Sequence, residues 1–240
     1  MRTMIEILKK EVRQFFTTPM GYMICAVYAG LSSLYFYAAN LNGMLVSLSY
    51  DFQFQATWLL VFLMPLLTMR LLAEERRMKT DQLLLTAPVT VGAVVLGKFL
   101  ASMVIFFLCT SVNLLFCLVA SLYSQQPLLG EFICCYTGFL LLGASLTAVD
   151  MLLSALTENP FVAAFSAIGV NVLLMVTRSL ASSIRLEAGR FLMELVSVFT
   201  RFFNDFARGI FSIPSLFYYL SFSALFLFLT VLAVEKRRWG

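Results

Sequence analysis

The chain has 240 residues, of which 61% are hydrophobic and only 12% are charged, with a formal net charge of +4. A soluble domain carries about 25% charged residues, so this composition describes an integral membrane protein, and the period-2 alternation of a barrel is absent. The sequence has no histidine, which removes His-based catalysis, His metal sites and Ser–His pairing, and its basic residues are scattered through loops, against a nucleic-acid partner.

Residues 1–18 predict an amphipathic interfacial helix. Met4, Leu8, Val12 and Phe15 share one face, and Glu6, Lys9, Lys10 and Arg13 take the other. Thr17-Thr18-Pro19-Met20-Gly21 breaks it. The first apolar run starts near Met20 without an A-x-A site and is too long for a signal h-region. Six apolar runs follow: Met20–Ala39, Thr57–Leu72 with a start a few residues earlier, Ala93–Leu122, Phe132–Leu156, Phe161–Thr177 and Pro214–Val234. Each reaches or approaches the ~20 residues that cross hydrocarbon as a helix. The expectation is one domain over 1–240, all-α, with six transmembrane helices.

Between spans five and six, residues 187–211 form an amphipathic segment. Leu192, Leu195, Phe199, Phe202, Phe206 and Ile210 make an apolar stripe; Arg190, Glu194, Arg201, Asp205 and Arg208 oppose it. Arg201/Asp205 and Asp205/Arg208 stand at helical pairing distance. Five charges and Asn204 argue against a seventh span, since each charge costs roughly 2.5–3.5 kcal/mol at mid-bilayer. The expectation is therefore interfacial helices on the outer leaflet.

With six spans both termini share one side. That side collects twelve of the seventeen basic residues, including all five lysines, whereas loops 40–56 and 123–131 contain none. The positive-inside rule places both ends in the cytoplasm of a multi-pass protein of the inner or plasma membrane. Tyr35, Tyr37, Tyr50, Tyr123, Tyr218 and Tyr219 fall near the predicted interfaces, as an aromatic belt does.

Polar residues inside the spans are few. Asp150 is the firmly intramembrane acid, and such a residue is functional by default. It can face a substrate path, pair with an arginine, carry a proton, or hydrogen-bond Thr147, Ser154 or Asn171. Asn113 and Asn171 read as inter-helix hydrogen-bond partners, and with Asp150 they are the candidates for lining such a path. Ala144/Ala148 and Ala163/Ala167 permit close helix approach. Cys25, Cys109, Cys117, Cys134 and Cys135 lie in apolar runs without zinc or redox spacing, and read as packing residues.

The densest charge lies between spans two and three. Six of the eight residues from Glu74 to Asp81 are charged, and Leu83, Leu84, Leu85 and Pro88 follow. A lipid-binding stretch would be uniformly basic; Glu74, Glu75, Arg76, Arg77, Lys79 and Asp81 mix signs, as a protein-docking surface does. Gly92–Lys98 matches most of a P-loop. Phe99 replaces the Mg²⁺-binding Ser or Thr, however, and the segment runs straight into span three, where its N–H groups are helical.

Three stretches carry a resemblance. They are EERRMKTDQLLLTAPVTVGAVVLGKFLA at 74–101, KKEVRQFFTTPMGY at 9–22, and SALTENPFVAAF at 154–165. Together they resemble type-2 ABC transporter permeases, closest to the gliding-motility permease subgroup. Lys79 stands where that family has Gly, Pro160 where Gln is common, and Asp150 where a small or apolar residue is ordinary. The resemblance implies a membrane half with no chemistry of its own, in an exporter-type complex. A separate ATPase, in two copies, would bind ATP and Mg; this chain would hold no cofactor. It implies a second permease copy or a related chain, with room for a periplasmic or extracellular accessory subunit. Residues 74–88 would be a coupling helix, with Glu74, Glu75, Arg76, Arg77, Lys79, Thr80 and Asp81 meeting the ATPase, and Glu158 and Asn159 a lesser contact. The other readings are a stand-alone ion-coupled carrier using Asp150, and an ABC-powered machine with a mechanical role.

Overall fold

A computed structural model describes residues 2–41, 47–79, 90–123, 129–183 and 197–238. Among these the chain is helical throughout, with six helices long and apolar enough to cross a membrane. They run Pro19–Asn40, Leu48–Arg77, Val91–Leu122, Leu129–Leu156, Pro160–Arg178 and Ile213–Lys236. The expected six-span, all-α architecture is the observed one.

The N-terminal helix α1 (Arg2–Thr17) ends against Pro19, which opens α2 (Pro19–Phe36) at the position where its missing N–H costs nothing. α2 widens into a π turn over Tyr37–Leu41. Span two begins with α3 (Leu48–Phe54), passes a second π turn at Gln55–Leu59, and continues as α4 (Leu60–Arg77). It thus starts well before Thr57. Asp51, Gln53 and Gln55 hide this start from a hydropathy reading, but Asp51 and Gln55 are buried against protein rather than lipid.

Span three divides at Ser111 into α5 (Val91–Thr110) and α6 (Val112–Tyr123). The Ser111 hydroxyl donates to the Leu108 carbonyl (2.6 Å), and Leu114 N–H donates to the Ser111 carbonyl. Span four is α7 (Leu129–Leu156); span five is the membrane part of α8 (Pro160–Ser183); span six is the membrane part of α10 (Ile213–Arg238).

Spans two and four are the most buried, and spans one and six the least. α7 packs against α4, α5, α8 and α10, so span four is the axis of the bundle. Small residues allow this. Ala148 of α7 and Ala163 and Ala167 of α8 are buried, and Ala163 and Ala164 meet Met69 and Ala73 of α4. These small pairs serve packing within the chain.

The described part of the 187–211 segment is a short helix α9 (Val198–Asn204) and a 3-10 turn (Phe206–Arg208); residues 187–196 lie outside the described residues. Three residues of its apolar stripe face protein instead of lipid, while Ile210 stays exposed. Phe199, Phe202 and Phe206 are fully buried, and Tyr219 of span six, also buried, donates to the Val198 carbonyl at 2.7 Å. Tyr219 is therefore core, not belt, whereas Tyr37 and Tyr50 stay exposed. The expected Arg201/Asp205/Arg208 pairs do not form. The helix stops at Asn204, so the i+4 spacing no longer aligns the side chains. Asp205 instead accepts from the Ser215 hydroxyl, and Arg201 lies 4.2 Å above the Tyr218 ring.

Cys25 and Cys109 are joined as a disulfide between spans one and three, with Cα atoms 5.2 Å apart; Cys117, Cys134 and Cys135 remain free and buried. Two of the five cysteines are thus more than packing residues.

Gly138 of α7 lets Phe206 seat directly on the helix backbone, and a Cβ at that position would overlap the ring. Gly138→Ala should lower the stability of the protein by about 1–3 kcal/mol, the usual cost of overpacking. Thermal unfolding in nanodiscs measures it.

Candidate functional site

The basic end of the bundle brings together α1, the end of α4, the start of α5 and the turn between α7 and α8. Its centre is Lys98, in the segment that imitates a P-loop. That segment is helical, as expected, and its N–H groups serve α5. Gly97 lets α1 approach; a Cβ there would stand 3.1 Å from Ile7 Cγ2 and from the Met4 carbonyl oxygen. Lys98 is 1% exposed. Its Nζ donates to Glu11 of α1 (2.9 Å), to Glu75 of α4 (2.9 Å) and to the Leu71 carbonyl (2.6 Å). All three ammonium hydrogens find an acceptor, which is what a buried lysine requires. In sequence Lys98 counts as a basic residue of the cytoplasmic side and as the lysine of a P-loop imitation, and neither points to a buried ion pair. The clue to its role was Glu11, an acid beside the basic face of an amphipathic helix.

The charge cluster begins in α4 itself, whose last two turns hold Glu74, Glu75, Arg76 and Arg77. Glu74 takes a bidentate contact from Arg70 (2.6 and 2.7 Å), one turn earlier. Glu75 turns inward to Lys98. Arg76 crosses to the turn between spans four and five, pairing with Glu158 (2.5 Å) and donating to the Leu156 carbonyl (3.2 Å). Arg77, Met78 and Lys79 are exposed. The helix closes with Met78 N–H on the Glu74 carbonyl and Lys79 N–H on the Arg76 carbonyl. Lys79 adopts φ +55°, the left-handed region that glycine enters freely. Lys79 therefore holds, despite its side chain, a backbone conformation that favours glycine. Thr80, Asp81, Leu83–Leu85 and Pro88 lie outside the described residues.

Asn159 caps the turn, its Oδ1 accepting from Phe161 N–H (3.0 Å) and its carbonyl from Ala163 N–H. Arg76 and Glu158 thus join two elements that sequence spacing kept apart: the cluster at 74–79 and the 158–159 turn. The cluster is also less of a free docking surface than its composition suggests, because Glu74, Glu75 and Arg76 are engaged within the chain.

Among the described residues the buried amides and acids of the spans gather in three separate groups. Asn113 of span three exchanges two hydrogen bonds with Gln55 of span two (3.0 and 2.9 Å), and both meet the Tyr28 hydroxyl of span one (3.0 and 2.6 Å). The π turn at Gln55 offsets the helix where this contact is made. A second group lies at the opposite end. Asn40 donates to Asp51 (2.6 Å) and accepts from Ser47 N–H (2.8 Å), while Ser49 donates to Glu131 at the start of α7. Asp51 is 3% exposed, so the membrane part of the chain buries a second acid besides Asp150; its neighbouring polar residues led the sequence reading to place it in a loop. The third group is Asp150 with Asn171, linked at 3.4 Å. Of the three neighbours expected for Asp150, Asn171 is the one it meets; Thr147 donates to the Gly143 carbonyl and Ser154 to the Met69 carbonyl. Asp150 and Asn171 lie in one group and Asn113 in another. Among the described residues no cluster of His, Cys, Asp or Glu could hold a metal.

Replacing Lys98 with Met leaves two carboxylates without their buried cation. The loss should be about 3–5 kcal/mol, and adding Glu11→Gln and Glu75→Gln should recover most of it, measured by thermal unfolding. Lys79→Gly should stabilise the helix end by about 1 kcal/mol, the cost of left-handed backbone for a residue with a Cβ.

A search of curated proteins gives no match to this chain. The family model described as ABC-2 family transporter protein matches residues 5–234, which reaches into all six spans. The chain belongs to the ABC-2 transporter family and is a multi-pass membrane permease of an ABC transporter.

Proposed function

We propose that this permease is the membrane half of an exporter-type complex, moving a substrate with ATP hydrolysed on a separate ATPase. Two ATPase copies would serve two permease subunits, either identical chains or this chain and a related one, with ATP and Mg held on the ATPase. The termini would face the cytoplasm, following the basic residues. Within the family the three motifs at 9–22, 74–101 and 154–165 favour the gliding-motility-like subgroup. An accessory subunit would meet the opposite end of the bundle.

In this reading the ATPase seats on residues 74–88 and on Glu158 and Asn159. Arg77, Met78 and Lys79 offer exposed contact atoms, while Thr80 and Asp81 continue the same element in sequence. Glu74, Glu75 and Arg76 act differently: they carry displacement inward. The observation behind this is the bonding of α4. Its last two turns are tied to α5 and α1 through Glu75–Lys98–Glu11, and to the α7–α8 turn through Arg76–Glu158. A push on the end of span two would therefore move spans three, four and five with it. Packed elements joined this way shift together rather than deform separately.

Two experiments on the complete permease–ATPase complex test this. Arg76→Glu should cut permease-dependent ATPase stimulation at least about fivefold, the low end of ordinary coupling free energies, and adding Glu158→Arg should restore it. Failure of the swap to restore coupling removes the relay. Arg77→Glu with Lys79→Glu should weaken ATPase binding while leaving the melting temperature of the isolated permease unchanged. Undiminished binding removes the seat from this position.

A further inference from the structure

Asp150 lies in α7, six residues before its end at Leu156, about 9 Å along the helix axis. It is 1% exposed, and Asn171 of span five is 0% exposed. Asn171 Nδ2 donates to Asp150 Oδ2 at 3.4 Å, yet Asp150 Oδ1 and Asn171 Oδ1 accept nothing among the described residues. The hydroxyls next along α7 are already committed. Thr147 donates to the Gly143 carbonyl, and Ser154 donates to the Met69 carbonyl while accepting from Ala73 N–H.

Among the described residues no cation pairs with the acid. On the elements packed against α7, Arg70 is bonded to Glu74, Arg76 to Glu158, and Lys98 to Glu11 and Glu75. Span five carries no charge before Arg178, and α10 none before Glu235. Arg201 lies over Tyr218, Asp205 is bonded to Ser215, and Asp51 to Asn40. The neighbours of Asp150 on α7, Ala148 and Met151, pack with Leu71, Val91, Val95 and Leu227 in an apolar cluster.

Two idle acceptors cannot satisfy each other, but a single hydrogen satisfies both. A proton on Asp150 Oδ1 becomes a donor to Asn171 Oδ1, while Asn171 Nδ2 continues to donate to Asp150 Oδ2. The pair then has two hydrogen bonds and no charge; the carboxylate would have one long hydrogen bond and a full charge in a buried site with apolar neighbours. We propose that Asp150 and Asn171 form a proton-binding site, a protonated acid–amide pair that clasps span four to span five. Releasing the proton would remove one of the two hydrogen bonds and leave a buried anion, so a held proton keeps the two helices together.

Infrared spectra of the purified permease in nanodiscs, with carboxyl-13C aspartate, test this directly. A protonated-carboxyl C=O band that moves with the label is expected. It should vanish in Asp150→Asn and persist in Asp51→Asn. Asp150→Asn should keep the wild-type melting temperature, since an amide replaces the acid with both hydrogen bonds intact, and Asp150→Leu should lower it. If Asp150→Asn does not fold, Asn171→Leu decides, because loss of the amide should shift the aspartic band to higher frequency. Carboxylate bands alone, or a band unmoved by Asn171→Leu, overturn the proposal. So does a sodium or potassium titration that raises the melting temperature of the wild type but not of Asp150→Asn, which assigns the free oxygens to a metal cation.

Discussion

Lys98 carries the only ammonium buried among the described residues, and the basic end of this permease is arranged around it. A lysine taken out of water is tolerated when its three hydrogens and its charge are all met. Here Glu11, Glu75 and the Leu71 carbonyl meet them. Each acceptor comes from a different place: the N-terminal helix, the last turns of span two, and one turn deeper in that span. The lysine itself belongs to span three. One side chain therefore sets the position of α1 and of the charged end of α4, and Gly97 beside it provides the close approach that α1 needs. The Arg76–Glu158 contact extends the same assembly to spans four and five.

A membrane core treats polar groups differently, and the bundle meets that demand in pairs and triplets. The solvent there offers no hydrogen bonds, so each buried amide or acid must find a partner on another helix. Tyr28, Gln55 and Asn113 close a triplet across spans one to three. Asn40 and Asp51 pair where spans one and two approach their loop. Both arrangements use a π turn, at Gln55–Leu59 and at Tyr37–Leu41, where the extra residue per turn re-aims a side chain. Asp150 and Asn171 belong to the same class, with one hydrogen bond made and two acceptors left over. The opposite end is packed with aromatic rings: Phe199, Phe202 and Phe206 are buried, while Arg201 and Asp205 beside them meet Tyr218 and Ser215 of span six.

Much of this was legible in the sequence, because the bilayer reads composition directly. Apolar runs of crossing length specify helices, and six runs specify six spans, since no other backbone form satisfies its own hydrogen bonds in lipid without closing a barrel. The break at Pro19, the amphipathic α1, the helical rather than phosphate-cradling Gly97–Lys98, and Asn113 and Asn171 as inter-helix partners follow from local pattern. So did the ABC-2 type of permease, from three short motifs in order.

Tertiary structure alone decided which partner each charge takes. Hydropathy counts Lys98, Glu75 and Glu11 as three isolated polar residues, because their separation along the chain hides a contact made only when α1 folds onto span three. It places Asp51 and Gln55 in a loop, since a polar residue buried by protein looks the same in sequence as one facing water. It reads Phe199, Phe202 and Phe206 as lipid-facing, because an apolar stripe does not say whether hydrocarbon or another helix covers it. Sequence periodicity determines which face of each helix is apolar; the packing of helices distant in the chain determines what that face, and each charge beside it, meets.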